Sequence, residues 1–315
     1  MNSLLNKSWV PALDVRDLRM SYGTKEVLAS VSFQAERGEV LALLGPNGAG
    51  KTTTIEILEG FRARSGGEVS VLGCDPAQGD EAWRARIGVV LQSWRDHKFW
   101  RVRELLTYSA RFYAPFATPE VSRPWKVDEL LEVVGLTRHA NAKIMTLSGG
   151  ERRRLDVAIG IVGRPEIVFF DEPTAGLDPH ARRDFHDLIH QLSDFEHTTI
   201  LMTTHDLDEA EKIADRILVL DEGRIIADGS PDQLARQLAS MSEVRWTSAG
   251  QRHVHAVSEC DASDFVRHLL DKNEITDLEV RRASLEDTYM ALVRRVESGQ
   301  PRVDPTTARK PKEQP

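Results

Sequence analysis

Two cysteines, Cys74 and Cys260, are all that the 315 residues contain. They are too few for a disulfide framework and too far apart for a CxxC redox pair or a zinc knuckle, so reduced thiols are expected. Long apolar runs are also missing. Runs such as VLALL at 40–44 fall far short of the roughly 20 residues of a membrane helix. The stretch MNSLLNKSWVPALDV has no apolar core of the signal-peptide kind, so the chain is expected to be soluble by itself. Nor is there surplus positive charge: 41 Lys and Arg stand against 49 Asp and Glu, a formal net charge of -8. Nothing global therefore draws the chain to nucleic acid or an anionic membrane, and no nucleic-acid partner is expected. What is present is a hydrophobic content of 41%, enough for one large domain or two smaller ones.

The first 60 residues alternate strand-like pieces with turns. ALDVRDLRMSYG and EVLASVSFQAERGEVLALLG carry period-two patterns broken at Gly23 and Gly38, and the second ends in an all-apolar burst suited to a buried strand. From about Val102 the period becomes helical, in VRELLTYSARFYAPF and VDELLEVVGL, with a proline-containing connector at 115–124 between them. Two short β-rich runs, EIVFF and TTILMTT, each end abruptly in charge, at Asp171-Glu172 and His205-Asp206. Buried parallel strands with polar chemistry at their carboxyl ends are the pattern of an open α/β sheet. RILVLDEGRIIADG reads as a hairpin turning at Glu222-Gly223. After about Ser240 come strands, a helix DASDFVRHLLDK, a strand DLEVRRA and a last helix opening at Ser284, a small α+β appendage. The proline-rich tail 299–315 is expected to be disordered.

The chemistry begins at GPNGAGKTTT, residues 45–54. Gly45, Gly50, Lys51 and Thr52 fit G-x-x-x-x-G-K-[ST] between a predicted strand and a predicted helix. Across Gly45, Pro46, Asn47, Gly48, Ala49, Gly50, Lys51, Thr52 and Thr53, bare backbone N–H groups and a helix dipole would cradle phosphate. Lys51 would reach the terminal phosphates, and the Thr52 hydroxyl would ligate Mg2+. A glycine-rich turn that binds nothing is the bland alternative. The acidic half is IVFFDEP, where Asp171 suits Mg2+ and Glu172 suits a general base polarising water. An acidic strand end alone would be unremarked; behind four apolar residues and after such a glycine loop it is not.

TLSGGERRRLDVAIGIVGRPEIVFFDEPTAGLDP, residues 146–179, resembles the signature, Walker B and D-loop run of the ATPase subunits of ABC transporters. The resemblance covers about residues 12–235. It implies a P-loop α/β fold with a domain at 12–238 and a helical subdomain at about 98–150; the small α+β domain read from the residues beyond it spans 240–298. It also implies ATP and Mg2+ as cofactors and a head-to-tail homodimer in the ATP-bound state. There the signature loop 147–151, with Ser148, Gly149 and Gly150, would close over nucleotide on the other copy's Lys51 loop. The resemblance further gives Gln92 a Mg2+-sensing and coupling role, Asp178 a place across the dimer contact, His205 the γ-phosphate and Tyr22 the adenine ring. Without it, Tyr22 could be a core strand tyrosine, and His205 reads as a strand-end histidine with a backbone partner.

Ser148 and Glu151 form an S-x-x-E capping box, a plain helix start that does not require the two glycines. The family most often has Gln at the Glu151 position. A carboxylate 4 Å from phosphate would be unfavourable by about 4 kcal/mol at an effective dielectric of 20, so Glu151 is expected to fold back into the cap. Trp94, Phe99 and Trp100 follow Gln92 where the family docks its membrane partner, and read equally as helical-subdomain core. His253 and His255 share a strand face without an evident third metal ligand and read as solvated. Arg152, Arg153 and Arg154 read as an exposed basic face.

No N-K-x-D guanine reader is present, because Asn6-Lys7 is followed by Ser8-Trp9. SLEDTYMAL at 284–292 is similar to the closing motif of daunorubicin-resistance type exporter ATPases, which pair with a separate multi-span membrane permease. The resemblance thus implies an ATPase at the cytoplasmic face of the membrane, driving export of a drug, antibiotic or lipid. The alternative is a soluble ABC-type ATPase acting on DNA or ribosomes, which the single glycine loop and the short stretch between it and the signature disfavour.

Overall fold

The computed structural model describes residues 10–90, 97–234, 241–248, 251–272 and 275–282. Contacts divide the chain into two units, Met1–Leu234 and Ala235–Pro315.

In the first unit, β1 (Leu13–Tyr22) and β2 (Lys25–Ala35) form an antiparallel pair, and β3 (Val40–Leu44) is buried at every position. Then follow α1 (Lys51–Leu58), β4 (Gly66–Val71), α2 (Glu81–Arg84), β5 (Ile87–Val90), α3 (Val102–Ala110) and α4 (Val127–Val133). The chain continues through α5 (Gly149–Ile161), β6 (Ile167–Asp171), α6 (Pro179–Glu196), β7 (Thr199–Thr204), α7 (Leu207–Ile213), β8 (Arg216–Asp221) and β9 (Arg224–Gly229). Among the described residues nine strands make one sheet, in the order β4-β1-β2-β9-β8-β3-β7-β6-β5.

The pairs β5·β6, β6·β7, β3·β7 and β3·β8 are parallel, as the continuous apolar runs require of strands buried on both faces. Leu41, Leu43, Leu44, Phe169 and Phe170 are fully buried, each contributing roughly 1.5–3 kcal/mol of burial. Parallel alignment has a functional consequence. Leu44 lies beside Thr204 and Asp171 beside Thr203, so the glycine loop, the acidic pair and His205 leave the sheet at the same end. The expected hairpin turns at Glu222 and Gly223, both with positive φ.

The helix expected from Val102 ends at Ala110, and the chain then winds into a 3-10 turn at Ala114–Phe116. Pro115 has no N–H to continue a ladder, which stops the helix earlier than its apolar period does.

The second unit has a three-stranded antiparallel sheet in the order β11-β10-β12, with β10 (Met241–Ser248), β11 (Gln251–Ser258) and β12 (Ile275–Arg282); α8 (Glu259–Lys272) packs on β10 and β11. His255 is exposed and His253 partly so, in keeping with a solvated face, and both also meet aromatic rings. His253 stacks on Trp246 and His255 on Phe265, with centroids 5.3 and 4.8 Å apart, because β10 and α8 present rings to that face of β11. The 284–292 motif and the 299–315 tail lie outside the described residues. No described helix is long and apolar enough to cross a membrane.

Candidate nucleotide site

Strand β3 delivers the chain to Gly45, where a Cβ would stand 2.3 Å from the Leu220 carbonyl oxygen, so only glycine passes. Gly50, at φ 109°, is the N-cap of α1 and lends no side chain to it. The first turn of α1 has no acidic residue either. Its backbone N–H groups therefore face outward without a side-chain acceptor, the arrangement that binds anions. Asn47 and Gly48 form the exposed loop tip, and a Cβ at Gly48 would meet nothing within 4 Å. Lys51 is 5% exposed and its Nζ donates to the carbonyls of Gly45 at 2.8 Å and Pro46 at 3.2 Å. Burial pushes its pKa down, and Glu172, 3.5 Å away, pulls it back up.

Asp171 ends β6 with its carboxylate 3.1 Å from the Thr52 hydroxyl. Thr203 of the neighbouring strand donates its hydroxyl to Asp171 at 2.6 Å and accepts the Glu172 N–H at 2.9 Å. One threonine thus fixes the Asp171 carboxylate and the backbone that carries Glu172. Glu172 itself turns the backbone at φ 44°, and its Oε1 lies 3.5 Å from Nδ1 of His205. Lys51, Thr52, Asp171, Glu172 and His205 are brought together, from the ends of three adjacent parallel strands. The donor set fits a magnesium nucleotide: outward N–H groups and an ammonium for phosphate, and a hydroxyl beside a carboxylate for a hard cation.

A second cleft, of about 350 Å3, is lined by residues 148–151, Arg154, 176–178, His180, Ala181 and Asp184. None of residues 45–54 lines it. Ser148 caps α5, accepting the Glu151 N–H at 3.3 Å, while Glu151 accepts the Ser148 N–H at 2.8 Å. Glu151 is folded back as expected, and His139 Nε2 holds its other oxygen at 3.1 Å. Those backbone and hydroxyl bonds to Ser148 lower its pKa. Gly149 has open space where a Cβ would be. Asp178 caps α6 through the N–H groups of His180 and Ala181 at 2.8 and 2.9 Å, which lower its pKa.

One sequence expectation changes, and two readings left open are narrowed. Tyr22 is 42% exposed, with the Arg62 guanidinium 5.1 Å from its ring centroid, so it is not a core tyrosine. The run at 152–154 is not an exposed basic face: Arg153 is buried, Arg152 pairs with Asp156 at 3.2 Å and Arg154 pairs with Asp184. Carboxylates on α5 and α6 draw these side chains in. Phe99 is 66% exposed, whereas Trp100 packs edge-on against Tyr108. Gln92 and Trp94 lie outside the described residues.

Sequence reasoning missed Thr203 and also Glu209, which is buried and accepts the hydroxyls of Thr174 and Thr204 at 2.5 Å each. The threonines at the end of TTILMTT, polar in an otherwise apolar strand, were the available signal.

The sequence profile of the ABC transporter family matches residues 28–175. The Nod factor export ATP-binding protein I of Rhizobium meliloti (strain 1021) is 35% identical over 300 residues, covering 90% of this chain and 88% of that protein. The linearmycin resistance ATP-binding protein LnrL of Bacillus subtilis (strain 168) is 31% identical, covering 84% and 81%. Among solved structures, cbiO1 from Clostridium perfringens, part of the ABC transporter complex cbiONQ, superposes with TM-score 0.62 at 27% identity, over 72% of this chain and 94% of that one. A bacterial Atm1-family ABC exporter with ATP bound gives 0.61 at 26%, over 72% and 40%. The chain belongs to the ATP-binding subunits of ABC transporters, and it is an ATPase whose hydrolysis is coupled to transport.

Proposed function

We propose that the chain is the motor of an exporter, in which two copies close head to tail on two ATP molecules and reopen after hydrolysis. The carrying observation is the separation of two half-sites. Lys51, Thr52, Asp171, Glu172 and His205 converge at one end of the sheet's central strands, while Ser148, Gly149, Gly150 and Asp178 line a different cleft free of residues 45–54. A second copy would bring its own signature cleft to the phosphate loop.

In this reading Lys51 and the N–H groups at the start of α1 bind the phosphates. The Thr52 hydroxyl and Asp171 carboxylate hold Mg2+, which supplies charge neutralisation on phosphate oxygens. Gln92 is assigned its Mg2+ contact and coupling role on the family resemblance. Glu172 orients an attacking water and takes its proton, His205 clamps the γ-phosphate, and Tyr22 offers its exposed ring to adenine. The direction is export: the relatives named for Nod factor export and linearmycin resistance support it, with a drug, antibiotic or lipid as cargo. The partner is a separate multi-span permease, which places this chain at the cytoplasmic face of the membrane. Tagging the protein in its native host, solubilising membranes in mild detergent and identifying stoichiometric partners by mass spectrometry tests this. A single polytopic membrane protein is expected; ribosomal or DNA-bound proteins in a soluble fraction would overturn it.

A further inference from the structure

Tyr22 ends β1 with an exposed ring, and that ring already has a partner. The Arg62 guanidinium stands over it, 5.1 Å from the centroid, within the roughly 6 Å at which an aromatic face attracts a cation. Arg62 is in turn held by α1. Past the end of that helix the Arg62 N–H donates to the Glu56 carbonyl at 3.0 Å, and Arg62 Nε donates to the Glu56 carboxylate at 2.6 Å. The loop that carries Arg62 is also tied to the strand that carries Tyr22. Ser65 donates its N–H to the Arg19 carbonyl at 2.9 Å, and its hydroxyl accepts the Ser21 N–H at 3.1 Å. Bonds to a helix and to a strand thus fix where guanidinium and ring meet.

Stability alone gives this arrangement little reason to exist. The side chains of Arg62 and Glu56 are 34% and 33% exposed, and an ion pair that open to water adds little to a fold. Its effect is local. A tyrosine at the end of a strand has a ring free to turn, and a planar ligand that stacks on it must first stop that motion; a cation seated on one face has already stopped it. We propose that Arg62 is a positioning residue for the nucleobase, bracing one face of Tyr22 so that the other receives adenine. The proposal rests on the reading of Tyr22 as the adenine platform. It also joins the two ends of the nucleotide through one element, because Glu56, which holds Arg62, and Lys51, assigned to the phosphates, both belong to α1.

The test is calorimetric titration of the full-length chain with ATP and with inorganic tripolyphosphate, which keeps the phosphates and lacks the base. Arg62→Ala should weaken ATP about two- to fivefold, the range of an exposed cation–π contact, while tripolyphosphate binds as in the parent. Arg62→Lys keeps a cation that can serve both Glu56 and the ring, and should restore most of the ATP affinity. Melting temperatures should stay near the parent's, as for other exposed ion pairs. On a Tyr22→Ala background Arg62→Ala should have no further effect on ATP, because the brace has no ring to hold. An undiminished effect there would overturn the proposal. So would equal losses for ATP and tripolyphosphate, which would put Arg62 to work on the phosphates. Tighter ATP binding in Arg62→Ala would mean that the guanidinium covers the face adenine needs, and the brace would be refuted. If Tyr22→Ala weakens ATP and Arg62→Ala does not, the brace falls and the adenine platform survives alone. If Tyr22→Ala leaves ATP affinity at the parent's value, the adenine reading fails and takes the proposal with it.

Discussion

Oε1 of Glu172 lies 3.5 Å from Nδ1 of His205 and 3.5 Å from Nζ of Lys51, so one carboxylate oxygen is shared between a half-exposed histidine and a buried lysine. A base held this way is oriented by both neighbours, and its charge also offsets the desolvation of Lys51. Glu172→Gln should therefore keep ATP binding and lose turnover by roughly 10²–10⁴-fold, the range of general-base catalysis. It should also accumulate a closed dimer with Mg-ATP. Light scattering showing monomer at saturating Mg-ATP would count against the closure account.

Lys51→Ala removes an ammonium that the fold holds 2.8 Å from the Gly45 carbonyl, inside the loop rather than out in solvent. Nucleotide affinity itself should drop, by tenfold or more on the scale of a lost charge-assisted contact of about 1.5–3 kcal/mol. Calorimetry that returned the parent affinity would contradict the phosphate assignment.

Much of this was legible in the sequence for a physical reason. The glycine loop, the acidic strand end and the capping box at Ser148 are local devices, in which spacing along the chain fixes spacing in the fold. Glu151 folding back required only the box geometry and the repulsion of a phosphate. What was not legible depends on neighbours distant in sequence. Thr203 reaches Asp171 and Glu172 only because β7 pairs beside β6. Arg153 is buried because α5 packs into the unit, and His253 and His255 meet rings from other elements.

Glu151 makes its signature-loop contacts inward, to the Ser148 N–H and to His139. Glutamine also completes a capping box. Glu151→Gln should thus leave ATP turnover within about threefold and the melting temperature nearly unchanged, on the scale of an ordinary surface substitution of about 0.5 kcal/mol. Glu151→Ala should cost about 1 kcal/mol by denaturant titration. A large turnover gain in the glutamine variant would mean that the carboxylate faces nucleotide after all.

Glu209 ties two catalytic loops with one buried carboxyl. Its oxygens accept the hydroxyls of Thr174, two residues after Glu172, and Thr204, one residue before His205, at 2.5 Å each. Glu209→Ala leaves both hydroxyls without their acceptor, at about 1–3 kcal/mol for a buried unpaired group. Turnover should fall about tenfold while ATP affinity stays within about threefold, because Lys51 and α1 are untouched; position, not binding, is lost. Single-turnover kinetics beside calorimetry separate the two, and an equal loss in both would refute a purely positioning role.

Glu166, at the start of the acidic strand, is the centre of an arginine cluster. Arg86 donates at 2.6 and 3.0 Å, Arg37 at 2.8 Å, and Arg123 stands at 3.5 Å. Burial pushes this carboxyl up, but the bonds and charges of Arg86 and Arg37 outweigh it and bring the pKa down to about 2. Against an unfolded value of about 4.3, a depressed carboxylate adds stability that is full above the unfolded pKa and lost as pH falls through the folded one. The shift corresponds to about 3 kcal/mol. Glu166→Gln should therefore melt well below the parent at pH 7, with the gap closing as pH falls from about 4 toward about 2. A gap independent of pH would show that packing around Arg123, rather than the carboxylate charge, anchors this end of the strand.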